Sequence, residues 1–240
     1  TGMNRLGLAM AEIAEVAGLS QKSGLRWWGL MSHLACDDHP LDSLAGRQKQ
    51  RFETVLRAIP HARASLAASS GIGLGAEFHY DIVRPGIGLY GVLRPLIHDP
   101  ASHQTIAQHL ALRVMARVCQ NRRVDAGESV GYGATEVMES GGRVAVVGLG
   151  YADFFPRHRG GGEAQVKVGG FQVRPIGRVS MDLLSLDVSA VPPDSCRVGD
   201  WVEVIGPDNP LTVLADDAET SPYELLTRLG DRATRHYIQP

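Results

Sequence analysis

The pattern of apolar residues changes once along this chain, and that change constrains the fold more than any other feature. Over roughly the first 95 residues, helical and strand-like segments alternate, which is typical of a parallel sheet or barrel. The predicted helices are Leu6 to Ala17, stopping at Gly18, and Gln48 to Ile59; the predicted strands are Gly29 to Cys36, Ala64 to Ala68 and Tyr80 to Val83.

After about residue 110 the apolar residues occur in short alternating runs separated by Gly, Pro and Asp, which predicts an all-β module. These runs are Leu110 to Val118, Arg143 to Leu149, Gln165 to Val168, Leu183 to Val188 and Trp201 to Ile205. Near the end, Ser221 as a cap and Pro222 at the first helical position predict a short helix from Tyr223 to Leu229.

Three strand candidates are too few to close a (β/α)8 barrel, which needs eight strands and typically about 250 residues. The fold class expected is therefore α/β plus all-β: the C-terminal part of a (β/α)8 barrel, whose first part lies outside this chain, followed by a β-strand-rich, β-barrel-like domain. The predicted domains are residues 1–98 and 99–240, with the junction within His98 to Gln108.

The segment after the third predicted strand carries the most specific chemistry. Arg84 follows the apolar run and precedes Pro85 and Gly86, so it is expected at the carboxyl end of a strand, where ligands bind in parallel α/β folds. The amides of Gly86 and Ile87 would then face an anion such as phosphate. A surface turn with a solvated arginine explains the local pattern equally well.

Composition excludes several classes of protein. The net charge of −2 and the absence of a basic block argue against a nucleic-acid partner or an anionic membrane surface. No run of apolar residues is long enough for a membrane span and no signal-peptide pattern is present, so a soluble, cytoplasmic protein is expected. Three widely spaced cysteines fit a reducing compartment.

A zinc site is the main alternative for the polar cluster His33, Cys36, Asp37, Asp38 and His39. Their types suit zinc, but the spacing matches no common structural zinc motif and no second ligand pair is near, so no metal is expected.

Seven segments, in the same order, resemble the alanine racemases, enzymes that use pyridoxal phosphate (PLP) and consist of a TIM-type barrel followed by a β-domain. The segments are TGMNRLG (Thr1 to Gly7), MSHLAC (Met31 to Cys36), VRPGIGLYG (Val83 to Gly91), SVGYGAT (Ser129 to Thr135), GLGYAD (Gly148 to Asp153), GRVSMD (Gly177 to Asp182) and SPYELLTRLGDR (Ser221 to Arg232). They are distributed over nearly the whole chain, so the resemblance is highly specific.

The resemblance implies a PLP site in the first half of the chain. Ser69, the amides of Gly86 and Ile87, and Tyr223 correspond to the phosphate contacts of the family. Arg84 corresponds to the residue that contacts the pyridine nitrogen, and because arginine stays protonated, that nitrogen would remain unprotonated.

The resemblance also implies catalytic and substrate-binding roles. Tyr132 corresponds to the tyrosine base, which needs nearby positive charge or hydrogen bonds to act near neutral pH; by analogy His33 and Arg84 supply them. Arg5 corresponds to the arginine that approaches the substrate carboxylate.

A further implication concerns assembly. Tyr151, Met181 and Asp182 correspond to residues of the second subunit that narrow the substrate entrance. The family forms a head-to-tail homodimer, so Tyr132 would act across the interface.

Three features depart from the family pattern. The loop after Cys36 is shorter than usual, and Phe154-Phe155 stands where a Gly-aromatic pair is more frequent. The lysine that binds PLP is not matched by any of the three lysines, Lys22, Lys49 and Lys167. The expected function is the interconversion of L- and D-alanine for peptidoglycan, with this chain inactive alone; the alternatives are a broader amino-acid racemase and a non-catalytic fragment or binding module.

Overall fold

The computed structural model describes residues 1–35, 43–59, 63–92, 110–157 and 164–238. The chain forms two compact units, residues 1–108 and 109–240. The predicted junction at His98 to Gln108 lies outside the described residues, so the domain boundary stays a prediction.

The described residues of the first unit form three α-helices and a two-stranded parallel sheet. The helices are α1 (Ile13–Ser23), α2 (Ser43–Ala58) and α3 (Ser69–Ile72), and the strands are β1 (Leu30–Met31) and β2 (Ala64–Ser65), with Leu30 opposite Ala64. Short 3-10 helices span Met10–Glu12, Ala76–Phe78 and Ile87–Tyr90. Both helices predicted from periodicity are present, although their ends differ.

The core of this unit forms where one face of α2 packs on the sheet. Phe52 is 1% exposed and packs with Leu66 and Phe78, while Ile59 packs with Ile13 of α1. The four-residue spacing of apolar side chains on α2 produces this face, because residues four apart lie one above the other on a helix. The sheet is thereby fixed against α2, and its strand ends are held in place.

The third predicted strand, Tyr80 to Val83, is not formed, and that prediction was wrong. Asp81 and Ile82 donate their amides to the carbonyl of Ala64, at 3.1 and 3.2 Å, and the Asp81 carboxylate accepts the Ala64 amide at 2.7 Å. A carboxylate thus takes the position that a strand carbonyl would occupy. Beyond these contacts, the described residues of the two segments form one isolated parallel bridge, between Ala68 and Arg84.

In the described residues, the second unit is built on a six-stranded antiparallel sheet formed by β3 (Val114–Val124), β6 (Gly142–Val147), β7 (Val166–Val168), β8 (Phe171–Val173), β9 (Leu184–Asp187) and β10 (Trp201–Ile205). The strand order is β8-β7-β10-β3-β6-β9, and β4 (Ser129–Val130) and β5 (Glu136–Val137) form a separate hairpin. Helices α4 (Leu211–Asp217) and α5 (Pro222–Thr227) and 3-10 helices at Tyr132–Ala134 and Pro193–Ser195 complete it.

The two ends of this sheet meet. The segment directly after β8 pairs with β9 through the antiparallel bridge Pro175 to Leu186, and the Ile176 amide donates to the Ser185 carbonyl at 2.9 Å. The sheet therefore closes on itself, and the expected organisation, an α/β part followed by a β-barrel-like domain, is confirmed.

No helix in the described parts of the chain is long and apolar enough to cross a membrane.

Candidate active site

Arg84 is fixed by the ends of both strands of the first unit. Its guanidinium donates Nη1 to Ser65 Oγ at 2.5 Å and Nη2 to the carbonyls of Ser32 and Leu66 at 2.8 and 3.3 Å. Its own amide donates to the Ala67 carbonyl at 3.0 Å. Partial burial lowers the pKa of Arg84 from its usual value, but an arginine starts so high that the side chain stays charged. Arg84 is therefore a charged group whose position is fixed by hydrogen bonds, and not a solvated turn residue.

Ser65 was not predicted as a site residue, although it completes this arrangement. Its hydroxyl accepts from Arg84 and donates to the Ile82 carbonyl at 2.6 Å, and the residue is 6% exposed. It belongs to a predicted strand, so the sequence shows only that it is polar at a position where apolar residues surround it.

His33 lies beside Arg84, with its Nδ1 3.2 Å from Nη2 of the guanidinium. The loop that carries His33 is held by Gln48 of α2, a fully buried residue. The Gln48 amide nitrogen donates to the His33 carbonyl at 2.9 Å, and its oxygen accepts the Ala35 amide at 2.8 Å. Gln48 is a second residue that sequence reasoning missed; the sequence shows only a polar residue four positions before Phe52, on the apolar face of the predicted helix.

Ser69 joins two chain turns near Arg84. Its hydroxyl accepts the amides of Gly86 and Gly88 at 2.8 and 3.1 Å, and the residue is 2% exposed. Ser69 begins α3, and Gly86 caps the 3-10 helix that starts at Ile87. A Cβ atom on Gly86 would meet no other atom within 4 Å, so open space lies in front of this turn. The predicted phosphate residues Ser69, Gly86 and Ile87 are thus brought together.

Arg5 is not brought to this group by any contact in the described structure. It lies in an exposed segment beside Leu6, which is 96% exposed. Its predicted contact with the substrate carboxylate stays a prediction.

Tyr132 lies at the tip of the β4–β5 hairpin in the second unit. Gly131 and Gly133 on either side have φ values of 80° and 77°, a backbone conformation that glycine adopts without strain. A Cβ atom on Gly131 would come within 3.1 Å of the Arg178 amide nitrogen, so the hairpin approaches the following loop closely. The Tyr132 side chain is 71% exposed.

Tyr151, Met181 and Asp182 lie on two turns that are bonded to each other. The amides of Tyr151 and Ala152 donate to the carbonyls of Ser180 and Met181 at 3.1 and 2.9 Å. No room remains for a side chain at Gly150, because a Cβ there would overlap the backbone of Ser180 and Met181. The structure thus brings these three predicted residues together.

Tyr223 stands in the first turn of α5, where its amide donates to the capping hydroxyl of Ser221 at 3.2 Å. The cap and the proline at the first helical position confirm the predicted helix start, and Tyr223 is 48% exposed.

The remaining predictions concern groups that are expected to stay outside the site. Lys49 pairs with Glu53 one helical turn along α2 at 2.7 Å, and this hydrogen bond raises the pKa of Lys49. Within the described residues, no three His, Cys, Asp or Glu side chains could share a metal ion. Most of the alternative zinc cluster, Cys36 to His39, lies outside the described residues.

Two family models match the chain. The model of the alanine racemase N-terminal domain matches residues 1–94, and that of the C-terminal domain matches residues 111–237, which is more than half of the chain. The chain belongs to the alanine racemase family.

Named relatives agree with the family models. The chain is 43% identical over 238 residues to the alanine racemase of Rhodospirillum rubrum, covering 99% of the chain and 62% of the relative. It is 39% identical to the catabolic alanine racemase of Mesorhizobium japonicum, covering 99% of the chain and 60% of the relative.

Solved structures of the alanine racemase family resemble this chain as well. The crystal structure of the Bartonella henselae alanine racemase with covalently bound pyridoxal phosphate has a TM-score of 0.88 at 35% identity, covering 99% of this chain and 64% of that chain. The biosynthetic alanine racemase of Pseudomonas aeruginosa has a TM-score of 0.88 at 36% identity, covering 99% and 65%. The chain spans less than two thirds of the length of these relatives.

Proposed function

We propose that the protein containing this chain is a PLP-dependent alanine racemase, an isomerase that interconverts L- and D-alanine. The observation that carries the proposal is the fixed guanidinium of Arg84, beside His33 and one short turn from the hydroxyl of Ser69. The ends of both strands of the first unit, β1 and β2, converge there, and α/β folds bind phosphorylated ligands at the carboxyl ends of their strands.

The residues fit a bound PLP. The space in front of Gly86 is open, so a phosphate could approach the Ser69 hydroxyl, to which the Gly86 amide donates. The Ile87 amide and Tyr223 are the other proposed phosphate contacts. Arg84 would donate to the pyridine nitrogen. When bound, PLP supplies an electron sink that stabilises the negative charge left by removal of the α-proton.

The protein side chains would then handle the proton and the substrate. Tyr132 is the proposed acid–base group on one face of the α-carbon, with His33 and Arg84 supplying the polarity it needs. Arg5 would bind the substrate carboxylate.

The entrance to the site is proposed to be shared between subunits. Tyr151, Met181 and Asp182 would narrow the entrance to the site of a second subunit, in a head-to-tail homodimer. Tyr132 would likewise act across this interface.

The chain alone is proposed to be inactive, because the second face of the α-carbon needs the PLP-binding lysine. Lys22 and Lys49 lie on helices α1 and α2, and Lys167 lies on β7 of the second unit. We place the whole enzyme in the bacterial cytoplasm, where D-alanine is used for peptidoglycan.

The test compares the full-length protein of the natural source with the chain alone, both purified in the presence of PLP. Formation of D-alanine from L-alanine is measured beside that of D-serine and D-2-aminobutyrate from their L-forms. We expect the full-length protein to racemise alanine with the highest kcat/KM and the chain alone to show no turnover.

Each alternative has its own outcome. Similar kcat/KM values for the larger amino acids would identify a broader racemase. A full-length protein that neither retains PLP nor racemises any amino acid would contradict the proposal and favour a non-catalytic module.

A further inference from the structure

Arg232, the last residue of the last family-like segment, forms a two-pronged ion pair with Asp153, the last residue of another. Nε of Arg232 donates to Oδ1 of Asp153 at 2.7 Å, and Nη2 donates to Oδ2 at 3.2 Å. Bidentate pairs of this kind fix orientation as well as distance, because the planar guanidinium matches the carboxylate geometry. No role was assigned to either residue from the sequence.

The Asp153 carboxylate also holds the turn from which it comes. Oδ2 accepts the Gly150 amide at 2.9 Å, and Asp153 is only 9% exposed. The same carboxylate is thus bonded to the first residue of the turn and to Arg232. Tyr151 lies between these two points.

The Gly150–Asp153 turn is in turn bonded to a second turn, which carries Met181 and Asp182. Tyr151 and Ala152 are bonded to the carbonyls of Ser180 and Met181, and there is no free space at Gly150 into which the turn could relax. The hydrogen bond and charge of Asp153 raise the pKa of Arg232. Through Asp153, Arg232 is therefore connected to the turn that carries Tyr151, and that turn is bonded to the one that carries Met181.

We propose that Arg232 is a positioning residue that sets the width of the substrate entrance by holding the Gly150–Asp153 turn through Asp153. This proposal rests on the proposed racemase function, in which Tyr151 and Met181 narrow that entrance. In the described structure, the hydrogen bonds of the Arg232 side chain go to the Asp153 carboxylate. Its loss is expected to change which substrates are accepted, in addition to how fast they react.

The first measurement tests, independently of activity, whether Arg232 holds the Gly150–Asp153 turn in place. In full-length protein, Arg232→Ala is expected to increase amide hydrogen exchange at Gly150, Tyr151 and Ala152 on the order of tenfold, since a charge-assisted bond that holds the turn is lost. Arg232→Lys should give a smaller increase, because a single ammonium cannot span both oxygens. Amides of β6 should exchange as in the wild type.

The second measurement separates positioning from loss of folded protein. Less folded enzyme lowers the rates on alanine, serine and 2-aminobutyrate by one common factor and leaves KM unchanged. A displaced entrance instead lowers kcat/KM for alanine by about 10- to 100-fold, mainly through KM, and lowers the preference for alanine over the larger substrates.

Arg235→Ala is the matched control. Arg235 is an arginine three residues further on, paired with the fully exposed Asp231 at 3.2 Å. Arg235 also donates Nη2 to the carbonyls of Leu229 and Gly230 at 3.3 and 3.5 Å. These exposed contacts contribute little and do not involve the Gly150–Asp153 turn, so exchange, rates and substrate preference should stay at wild-type values.

The outcomes are distinct. Unchanged exchange at Gly150 to Ala152 in Arg232→Ala would show that Arg232 does not hold the turn. A uniform loss of rate on all three substrates would show that Arg232 does not set the width of the entrance. Faster exchange in Arg232→Ala, together with a wild type that racemises no amino acid, would support the restraint of the turn by Arg232 and refute the proposed function.

Discussion

Nη2 of Arg84 and Nδ1 of His33 lie 3.2 Å apart in the first unit. Arginine has hydrogen-bond donors only, so the imidazole nitrogen must be the acceptor in this contact. In the neutral ring, the hydrogen then resides on Nε2 of His33. Arg84 therefore determines the tautomer of the histidine as well as its position.

This assignment can be checked by neutron diffraction of the full-length protein in deuterated solvent. We expect a deuterium atom on Nε2 of His33 and none on Nδ1. His79 is an internal control, because its Nε2 lies 2.8 Å from the Ile72 carbonyl, which can only accept. Density for deuterium on Nδ1 of His33 would mean that the contact with Arg84 is not a hydrogen bond.

Replacing Ser69 by alanine should weaken PLP binding. The change removes a proposed phosphate contact and leaves the Gly86 and Gly88 amides without their acceptor. A hydrogen bond to a charged group contributes about 1.5–3 kcal/mol, so the Kd of PLP should rise by roughly 10- to 100-fold. Equilibrium dialysis of the full-length protein measures it.

Ser70→Ala is the control for Ser69→Ala, since the side chain of Ser70 makes no hydrogen bond to another described residue. It should bind PLP as the wild type does. Equal Kd values for the two variants would remove Ser69 from the phosphate site.

Replacing Tyr132 by phenylalanine tests the proposed acid–base role. The ring is kept and the residue is exposed, so stability should change little. Racemisation by the full-length protein should fall by about 10² to 10⁴ in both directions, because each direction needs both acid–base groups.

Proton exchange distinguishes this role from mere positioning. In deuterated water, D-alanine should still exchange its α-proton through the other face, whereas exchange of L-alanine should nearly stop. Equal residual exchange of the two enantiomers would leave Tyr132 as a positioning residue only.

Phe154 should show an unusual order of variant stabilities. Its φ is +137°, a conformation that non-glycine residues rarely adopt and that costs about 1–3 kcal/mol, and its ring is only 1% exposed. Both Phe154→Ala and Phe154→Gly lose the ring, but glycine alone relieves the strain. The glycine variant should therefore be more stable than the alanine variant by about 1–2 kcal/mol, measured by urea unfolding.

Phe155 is the natural comparison, because it is equally buried and does not have a positive φ. There the alanine variant should be the more stable one, by about 0.5–1 kcal/mol. The same order at both positions would show that Phe154 stores no backbone strain.

Much of the fold follows from local pattern, and the errors have local causes. The helix predicted at Leu6 to Ala17 was displaced: α1 begins at Ile13, passes through Gly18 and ends at Ser23, followed by Gly24 with φ of 70°. Either glycine can end a helix, and only the tertiary structure selects which one adopts the left-handed conformation. The five predicted strand regions of the second half are all present, but the short strands β4, β5 and β8 and helix α4 were missed.

The candidate site was predictable only where a residue lies within a recognisable segment. Arg84 and Gly86 were found in this way, Ser69 was assigned by its position fifteen residues before Arg84, and the structure brings the three together. Ser65 and Gln48 were not, since their importance depends on which carbonyls and amides remain unpaired at the strand ends. A contact across 79 positions, such as Asp153 to Arg232, has no local signal at all.

The bridge between Pro175 and Leu186 has a consequence for how the second unit comes apart. A linear sheet frays from its outermost strands, because each of those has a neighbour on one side only. A closed ring of strands has no outermost strand, so all the hydrogen bonds between one pair of neighbouring strands must break before any strand can separate. We therefore expect the six-stranded ring to unfold as one cooperative unit, while the loops at its rim, including those with Tyr132 and Tyr151, can vary in sequence without unzipping it.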